Sequence, residues 1–473
     1  MRTCPRPRAR VRPGARRRLA LAGAALLLLA TTATTAACTP DGGGRSVTVL
    51  GTWTGAEAAA FEDVVAPFER RTGIDVRYEG TRDVDAVLAA RVEDGTPPDL
   101  AALSSPGDLI RYARNGRLVA LDGIPGLAES DKAYAADWVT LGRVDDVRVA
   151  VVVKAALKSL VWYDPKTLAA HNLRPPRTWQ ELTASAAKLA EQGVAPWCLG
   201  LASSSASGWP GTDWIEDIVL ARSGPEVYDR WTDGRLPWTA PEIRAAWQTW
   251  GELLGIGRAG GGDGPGTGAG AGAGSGAGTG SGTGSGNAAM SALLTRYDQA
   301  GAGLVADPPR CGLEHQASFA AAWYEGAPNK PLPGVDFSFA PFPVFTDSQG
   351  AARPGPEVRE VAGDVMAMFD DTDEARELIA YLAGTEAQTL WVREGAMSPN
   401  RGVPVDAYPS HPVAQALGRA LAEAEAIRFD ASDRMPAPMR GAFHRAVLAY
   451  IADPSDLDAI LADLDQARIA AYP

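Results

Sequence analysis

From residue 46 onward, apolar and polar positions alternate in short blocks whose spacing switches between strand and helix. Ser46–Trp53 reads as a first strand ending in a Thr/Trp turn, and Ala56–Thr72 as a helix with Phe61, Val64, Val65 and Phe68 on one face. Ile74–Tyr78 is a second strand and Val84–Glu93 a second helix. Pro97-Pro98 stops the chain before a third strand, Asp99–Leu103, that ends at Ser104-Ser105-Pro106. Strands alternating with helices of about 10–15 residues predict an α/β unit with parallel strands. In such sheets the ligand crevice lies beyond the carboxyl ends of the strands, which puts Thr52, Trp53 and residues 104–106 at the mouth of one lobe.

Val147–Val153 is a very apolar strand, followed by Lys154–Leu160 and Val161-Trp-Tyr-Asp-Pro165, after which helices dominate. Thr178 opens one helix with Glu181 three residues on, the spacing of a capping box. A second begins near Thr212-Asp213, strands return at Phe337–Pro341 and Val361–Phe369, and the C-terminal third is Ala-rich helix. Between Gly257 and Gly286, 16 of 30 residues are Gly, interleaved with Ala, Ser and Thr. With no side chains to pack, this reads as a disordered surface insertion whose free-chain span is about 30 Å. It lacks the preceding strand and the Lys or acidic partner of a phosphate-binding glycine loop.

Charge changes the picture at the N-terminus. The net charge is −12 over 473 residues, yet the first 37 carry eight Arg and no acid, so the rest holds 37 basic against 57 acidic residues, a net of −20. Such a body argues against nucleic acid or an anionic membrane surface as partner, since phosphate binding needs a basic face. Basic residues from Arg2 to Arg18, an apolar run from Leu19 to Ala30 and small residues up to Ala37 have the layout of a secretory signal. The run is shorter than the ~20 residues of a membrane span, and Arg16–Arg18 fits a twin-arginine route as well as an ordinary basic n-region. Thr35-Ala36-Ala37-Cys38 resembles a bacterial lipobox, which implies acylation of Cys38 and a tether over residues 38–45, where ordinary cleavage with an incidental Cys is the plainer alternative. Cys4 leaves with the signal, so Cys198 and Cys311 remain as an even pair in an oxidising setting, expected as a disulfide rather than two free buried thiols.

Several segments together resemble the extracellular solute-binding proteins of ABC importers, in the carbohydrate-binding branch that includes maltose and α-glucoside receptors. They are Thr52-Trp53-Thr54-Gly55 with the helix behind it, Pro97-Pro98-Asp99-Leu100, Lys158-Ser-Leu-Val-Trp-Tyr-Asp-Pro165, Gly208-Trp-Pro-Gly-Thr-Asp-Trp-Ile-Glu-Asp217, Gly363-Asp364, Trp391 to Ser398-Pro399-Asn400, and Arg434-Met435-Pro436. The glycine insertion and Ala362, where many relatives have a second Gly, depart from the pattern. The resemblance implies an α/β, two-lobe periplasmic-binding-protein-like fold with segment exchange, which closes on its ligand by a hinge motion. Carried over, one lobe is residues 46–155 and 336–395, the other 156–335 and 396–473, with crossings near Ala155, Pro341 and Gly395. It further implies a carbohydrate ligand and permease subunits as partners, a monomer, no cofactor, and a place on the outer face of the cytoplasmic membrane held by the lipid anchor alone.

Sugar rings present apolar C–H faces to indoles, and their hydroxyls need acids, amides and Arg. There are 13 Trp against 10 Phe, and eight of the Trp fall between Trp179 and Trp250. Trp231, Trp238, Trp247 and Trp250 read as packing, whereas Trp53 and Trp209, at Gly/Thr/Pro-rich turns, read as ligand-stacking. Thr54 belongs to the first mouth, Glu57 either reaches that mouth or only answers the helix dipole, and Ser105 either donates to a hydroxyl or shapes a turn. Asp213 reads as an N-cap, a hydroxyl acceptor or both, beside Trp214. Asp364 is an acid in an apolar strand, costly unless paired or at the cleft. Arg428 and Asp430 either meet sugar or pair with each other, and Phe443 is a candidate apolar wall.

Catalysis has little support. The four His, at 171, 315, 411 and 444, lack zinc-site spacing, and there is no Gly-x-Ser-x-Gly elbow. A glycosidase needs only two carboxylates, so a secreted sugar-active hydrolase stands as the alternative from another class. Within the receptor reading, a peptide, polyamine or anion is the alternative ligand.

Overall fold

The computed structural model describes residues 44–256, 285–347, 351, 358–424 and 426–472. The expected signal, Cys38, most of the tether and nearly all of the glycine insertion lie outside these residues; a helix, Ser285–Leu294, begins at the insertion's end. In chain order the strands are β1 (Ser46–Gly51), β2 (Asp75–Gly80), β3 (Leu100–Leu103), β4 (Arg143–Val144), β5 (Val147–Arg148), β6 (Ala150–Leu157), β7 (Leu160–Tyr163), β8 (Ala195–Trp197), β9 (Cys311–His315), β10 (Ser338–Pro341), β11 (Val358–Met368) and β12 (Ala426–Phe429).

The larger sheet runs β12-β11-β3-β1-β2, with β6 also on β11, and β4 and β5 form a separate hairpin. β1 is parallel to β2 and β3, as alternation with helices predicts, while β11 runs antiparallel to β3 and β6. Strand period sends Val47 and Val49 to one face, where Phe61, Val64, Val65 and Phe68 of the Ala56–Thr72 helix cover them. Each of these four side chains contributes roughly 1.5–3 kcal/mol by leaving water. The helix stops at Gly73, whose φ of 69° suits glycine and whose N–H closes on the Glu69 carbonyl.

The smaller sheet runs β10-β7-β9-β8. Helices over residues 209–223, 241–254 and 437–452 cover it and bury Trp231, Trp238, Trp247 and Trp250, each at most 1% exposed. The Thr178–Glu181 capping box is realised in both directions. Cys198 and Cys311 form a disulfide with Cα atoms 5.3 Å apart. Its cause is the parallel β8/β9 register, which pairs Trp197 with Leu313 and lets the Cys198 N–H reach the Leu313 carbonyl at 2.8 Å.

Two strands depart from the expected segment boundaries. Ser338–Pro341, expected with the first lobe, pairs with β7 in the smaller sheet, because Phe337 and Phe339 pack on Trp162 of that strand. Ala426–Phe429, expected with the second, completes the larger sheet by pairing with residues 358–361 of β11. The chain thus leaves the larger sheet at Lys158-Ser159, returns between Pro341 and Val358, and leaves again after Phe429. Near the expected crossings, Ala155 and Met397 form an isolated bridge rather than a passage between sheets.

Candidate functional site

On the first wall, the turn after β1 folds Trp53 inward. Its ring lies 5.1 Å from Phe61, 5.8 Å from Tyr78 and 4.9 Å from Trp391, and is 1% exposed. Its Nε1 donates to Asp364 Oδ2 at 2.7 Å, and Ser104 Oγ donates to Oδ1 at 2.7 Å. Asp364 is therefore the paired acid of the two expected alternatives, and Trp53 is core rather than a ligand platform. Thr54 remains half-buried beside it. Glu57 takes Lys154 Nζ at 2.7 Å on one oxygen and Arg82 at 2.9 Å on the other. Burial alone would raise the Glu57 carboxyl, but the two cations outweigh it and hold it below the usual range.

The second wall starts at Trp209, the half-buried first residue of the Trp209–Ser223 helix. Its ring meets Tyr297 edge-on at 5.1 Å and Phe319 at 6.1 Å, and Trp323 closes the group at 5.4 Å from Tyr297 and 5.2 Å from Phe319. All four rings are half-buried. Burial raises the Tyr297 phenol, and the charges of Arg82 and Glu57 also act on it. Beneath it, Lys158 Nζ sits 4.7 Å from the centroid of Trp209 and bonds Asp213 at 2.8 Å and Asp430 at 2.9 Å. Burial would strip the ammonium, but the two carboxylates keep it protonated.

Asp213 is not an N-cap. The helix begins four residues earlier behind Gly208, whose φ of 110° and whose fit against the His444 carbonyl leave no room for a Cβ. Asp213 is buried one turn inside, with Oδ1 unpartnered, and burial pushes it up to about 7. Asp430 lies low instead: burial is outweighed by Lys158 and by the backbone of the short helix it caps. Asp213, Glu216 and Asp430 converge closely enough to hold a metal ion, and the cation bonded to two of them is the Lys158 ammonium.

Four expected site residues are placed elsewhere. Trp214 is core, edge-on to Trp197 at 5.0 Å and 4.3 Å from His315. Phe443 is fully buried, 4.7 Å from Trp238. Arg428 pairs with Asp229 at 2.7 Å and not with Asp430, which turns inward to Lys158. Ser105 caps the Pro106–Arg114 helix and donates to the Asp433 carbonyl at 2.8 Å, beside the ion pair of Arg440 with Asp108 at 2.9 Å. Lys158, Arg82, Lys154, Tyr297, Phe319 and Trp323 went unforeseen; a lysine inside the apolar run 149–163 was the available signal for the first.

Buried acids also set the pH response. Burial pushes Glu314 up to about 8, partly offset by the Tyr324 hydroxyl at 2.6 Å. Its folded value stands above the unfolded one of about 4.3, so its contribution is complete below that pH and is lost as pH rises through about 8. Asp213 acts in the same direction up to about 7. The buried His444, pushed down to about 4, acts the other way below about pH 6.5, so we expect the melting temperature to decline from about pH 6.5 to 8 and Glu314→Gln to decline less; parallel curves in paired thermal melts would contradict this.

Among the described residues no helix is long and apolar enough to cross a membrane. Residues 52–389 match the model of the bacterial extracellular solute-binding protein family. GgtB, an osmoprotective compounds-binding protein of Synechocystis sp., is 34% identical over 416 residues, covering 86% of this chain and 89% of that one. AglE, an alpha-glucosides-binding periplasmic protein of Rhizobium meliloti, is 30% identical over 423 residues, 88% and 85% of the two chains. Among solved structures, the bacterial solute receptor AcbH, with a preference for β-D-galactopyranose, superposes with a TM-score of 0.72 at 17% identity over 91% of this chain and 100% of that one. The family match covers well over half of the chain, and the chain belongs to the bacterial extracellular solute-binding proteins of ABC importers, a family of two-lobe receptors rather than enzymes.

Proposed function

We propose that the chain captures a neutral sugar or sugar-like polyol between its two walls and hands it to the permease subunits of an ABC importer. The observation that carries this reading is the half-buried cluster of Trp209, Tyr297, Phe319 and Trp323, with Arg82 and Glu57 near enough for their charges to act on Tyr297. Indole and phenol faces suit sugar C–H faces, and the opposite wall supplies an acceptor and donors for hydroxyls. Among the described residues, Glu57 is bonded to Lys154 and Arg82, and Lys158 to Asp213 and Asp430, so each of these charges already has an oppositely charged partner. Similarity to AglE supports α-glucosides, and similarity to GgtB supports including osmoprotective solutes. The receptor would work outside the cytoplasm, held by an acyl chain on Cys38.

Calorimetric titration with α-glucosides, glucosyl polyols, galactose and glycine betaine, with product analysis, tests the reading. Sugar or polyol binding without cleavage is expected, and Trp209→Ala should weaken it at least tenfold, about 1.4 kcal/mol. Trp53→Phe should instead lower stability by about 1.5–3 kcal/mol, the worth of a hydrogen bond to a charged group, with affinity nearly unchanged. Binding of betaine alone, or cleaved sugar, would overturn it.

A further inference from the structure

We propose that Lys158 is a positioning residue that ties the Trp209 platform to the chain crossings, so that a solute stacked on Trp209 acts on lobe closure through one buried ammonium. The inference rests on the reading of Trp209 as the solute platform.

Lys158 and Ser159 are the two residues between β6 and β7, where the chain first leaves the larger sheet. The return passage is bonded to them: the Lys158 N–H donates to the Glu360 carbonyl at 3.0 Å, Glu360 N donates to Ser159 Oγ at 3.0 Å, and Phe342 N donates to the Ser159 carbonyl at 2.8 Å. The third passage is bonded through the side chain, since Asp430 directly follows β12 and takes Lys158 Nζ at 2.9 Å. The same nitrogen reaches Asp213 at 2.8 Å, one turn into the helix that Trp209 opens, and lies 4.7 Å from the Trp209 ring. One ammonium therefore touches the platform, the helix that carries it and a strand crossing, and its backbone is bonded to the other crossing.

The Lys158 side chain is 5% exposed, so water cannot replace a lost partner. Packed interiors switch between discrete arrangements rather than deforming smoothly. A rotation about the crossings that moves Lys158 relative to Asp430 must also move it against Asp213 and the indole. A lysine that merely held the fold would need the carboxylates but not the aromatic contact.

The test compares the full-length chain with Lys158→Met/Asp213→Asn/Asp430→Asn, which removes the ammonium and both its partners and so leaves neither of those carboxylates unpaired, and with Lys158→Arg. Affinity for the tightest-binding sugar is measured by calorimetry, and the radius of gyration by small-angle scattering with and without that sugar. We expect the triple variant to fold, to bind at least tenfold more weakly, and at saturating sugar to keep its ligand-free radius of gyration, while Lys158→Arg closes. A triple variant that melts lower but contracts as the parent chain does would overturn the coupling. If no sugar binds the parent chain, the solute reading fails by itself, and the ligand-free scattering decides the coupling: a shifted radius of gyration in the triple variant supports it and an unchanged one overturns it.

Discussion

Replacing Lys158 alone by Met should lower the unfolding free energy by about 3–5 kcal/mol, the cost of breaking a buried ion pair by removing one partner. Asp213 and Asp430 would be left in a site where each is no more than 2% exposed. Asp213 already has one oxygen without a partner, and Glu216 lies in the same cluster. Protonation relieves Asp213 readily, because burial has pushed it up to about 7, but Asp430 lies low and must be carried upward. The loss should therefore be largest at neutral pH and shrink on acidification. Urea unfolding at two pH values measures it, and a loss below about 1 kcal/mol at neutral pH would mean that the ammonium is not the partner holding these acids.

The Cys198→Ala/Cys311→Ala chain should lose about 4.7 kcal/mol if the bridge acts by restricting the unfolded chain, since that is the value for a loop of about 100 residues. The bridge spans 113 positions and encloses the glycine-rich stretch, which has the most unfolded-state freedom to lose. Both half-cystines are 6% exposed, and the Cys311 sulfur fills the space a Cβ on Gly303 would meet at 2.5 Å, so the local packing depends on it too. Denaturant unfolding of the double variant beside the parent chain reads the difference. A change below about 1 kcal/mol would contradict the loop-entropy account.

The strand and helix pattern was readable from the chain because apolar periodicity reports burial directly. Phe61, Val64, Val65 and Phe68 form the buried face they spell out, and the capping box at Thr178 is local chemistry. Segment exchange was harder, because Ser338–Pro341 looks alike whichever sheet it joins; the decision is made by Trp162, far away in sequence. The site was half legible for the same reason. Trp209, read as ligand-stacking from its Gly/Pro-rich turn, is half-buried in an aromatic cluster, but Trp53 sits at a similar turn and is packed, since Phe61, Tyr78 and Trp391 close over it. Local composition marks an indole out, and only tertiary structure decides whether its face is open. Lys158 was missed as a charge because its two partners lie 55 and 272 residues downstream.

A crystal structure with the tightest-binding sugar tests the central claim most directly. The account places a sugar ring against Trp209 on the side away from Lys158, bordered by Tyr297 and Phe319, with hydroxyls reaching Glu57 or Arg82. A sugar bound with Trp209 uncovered, or held against a displaced Trp53, would contradict it.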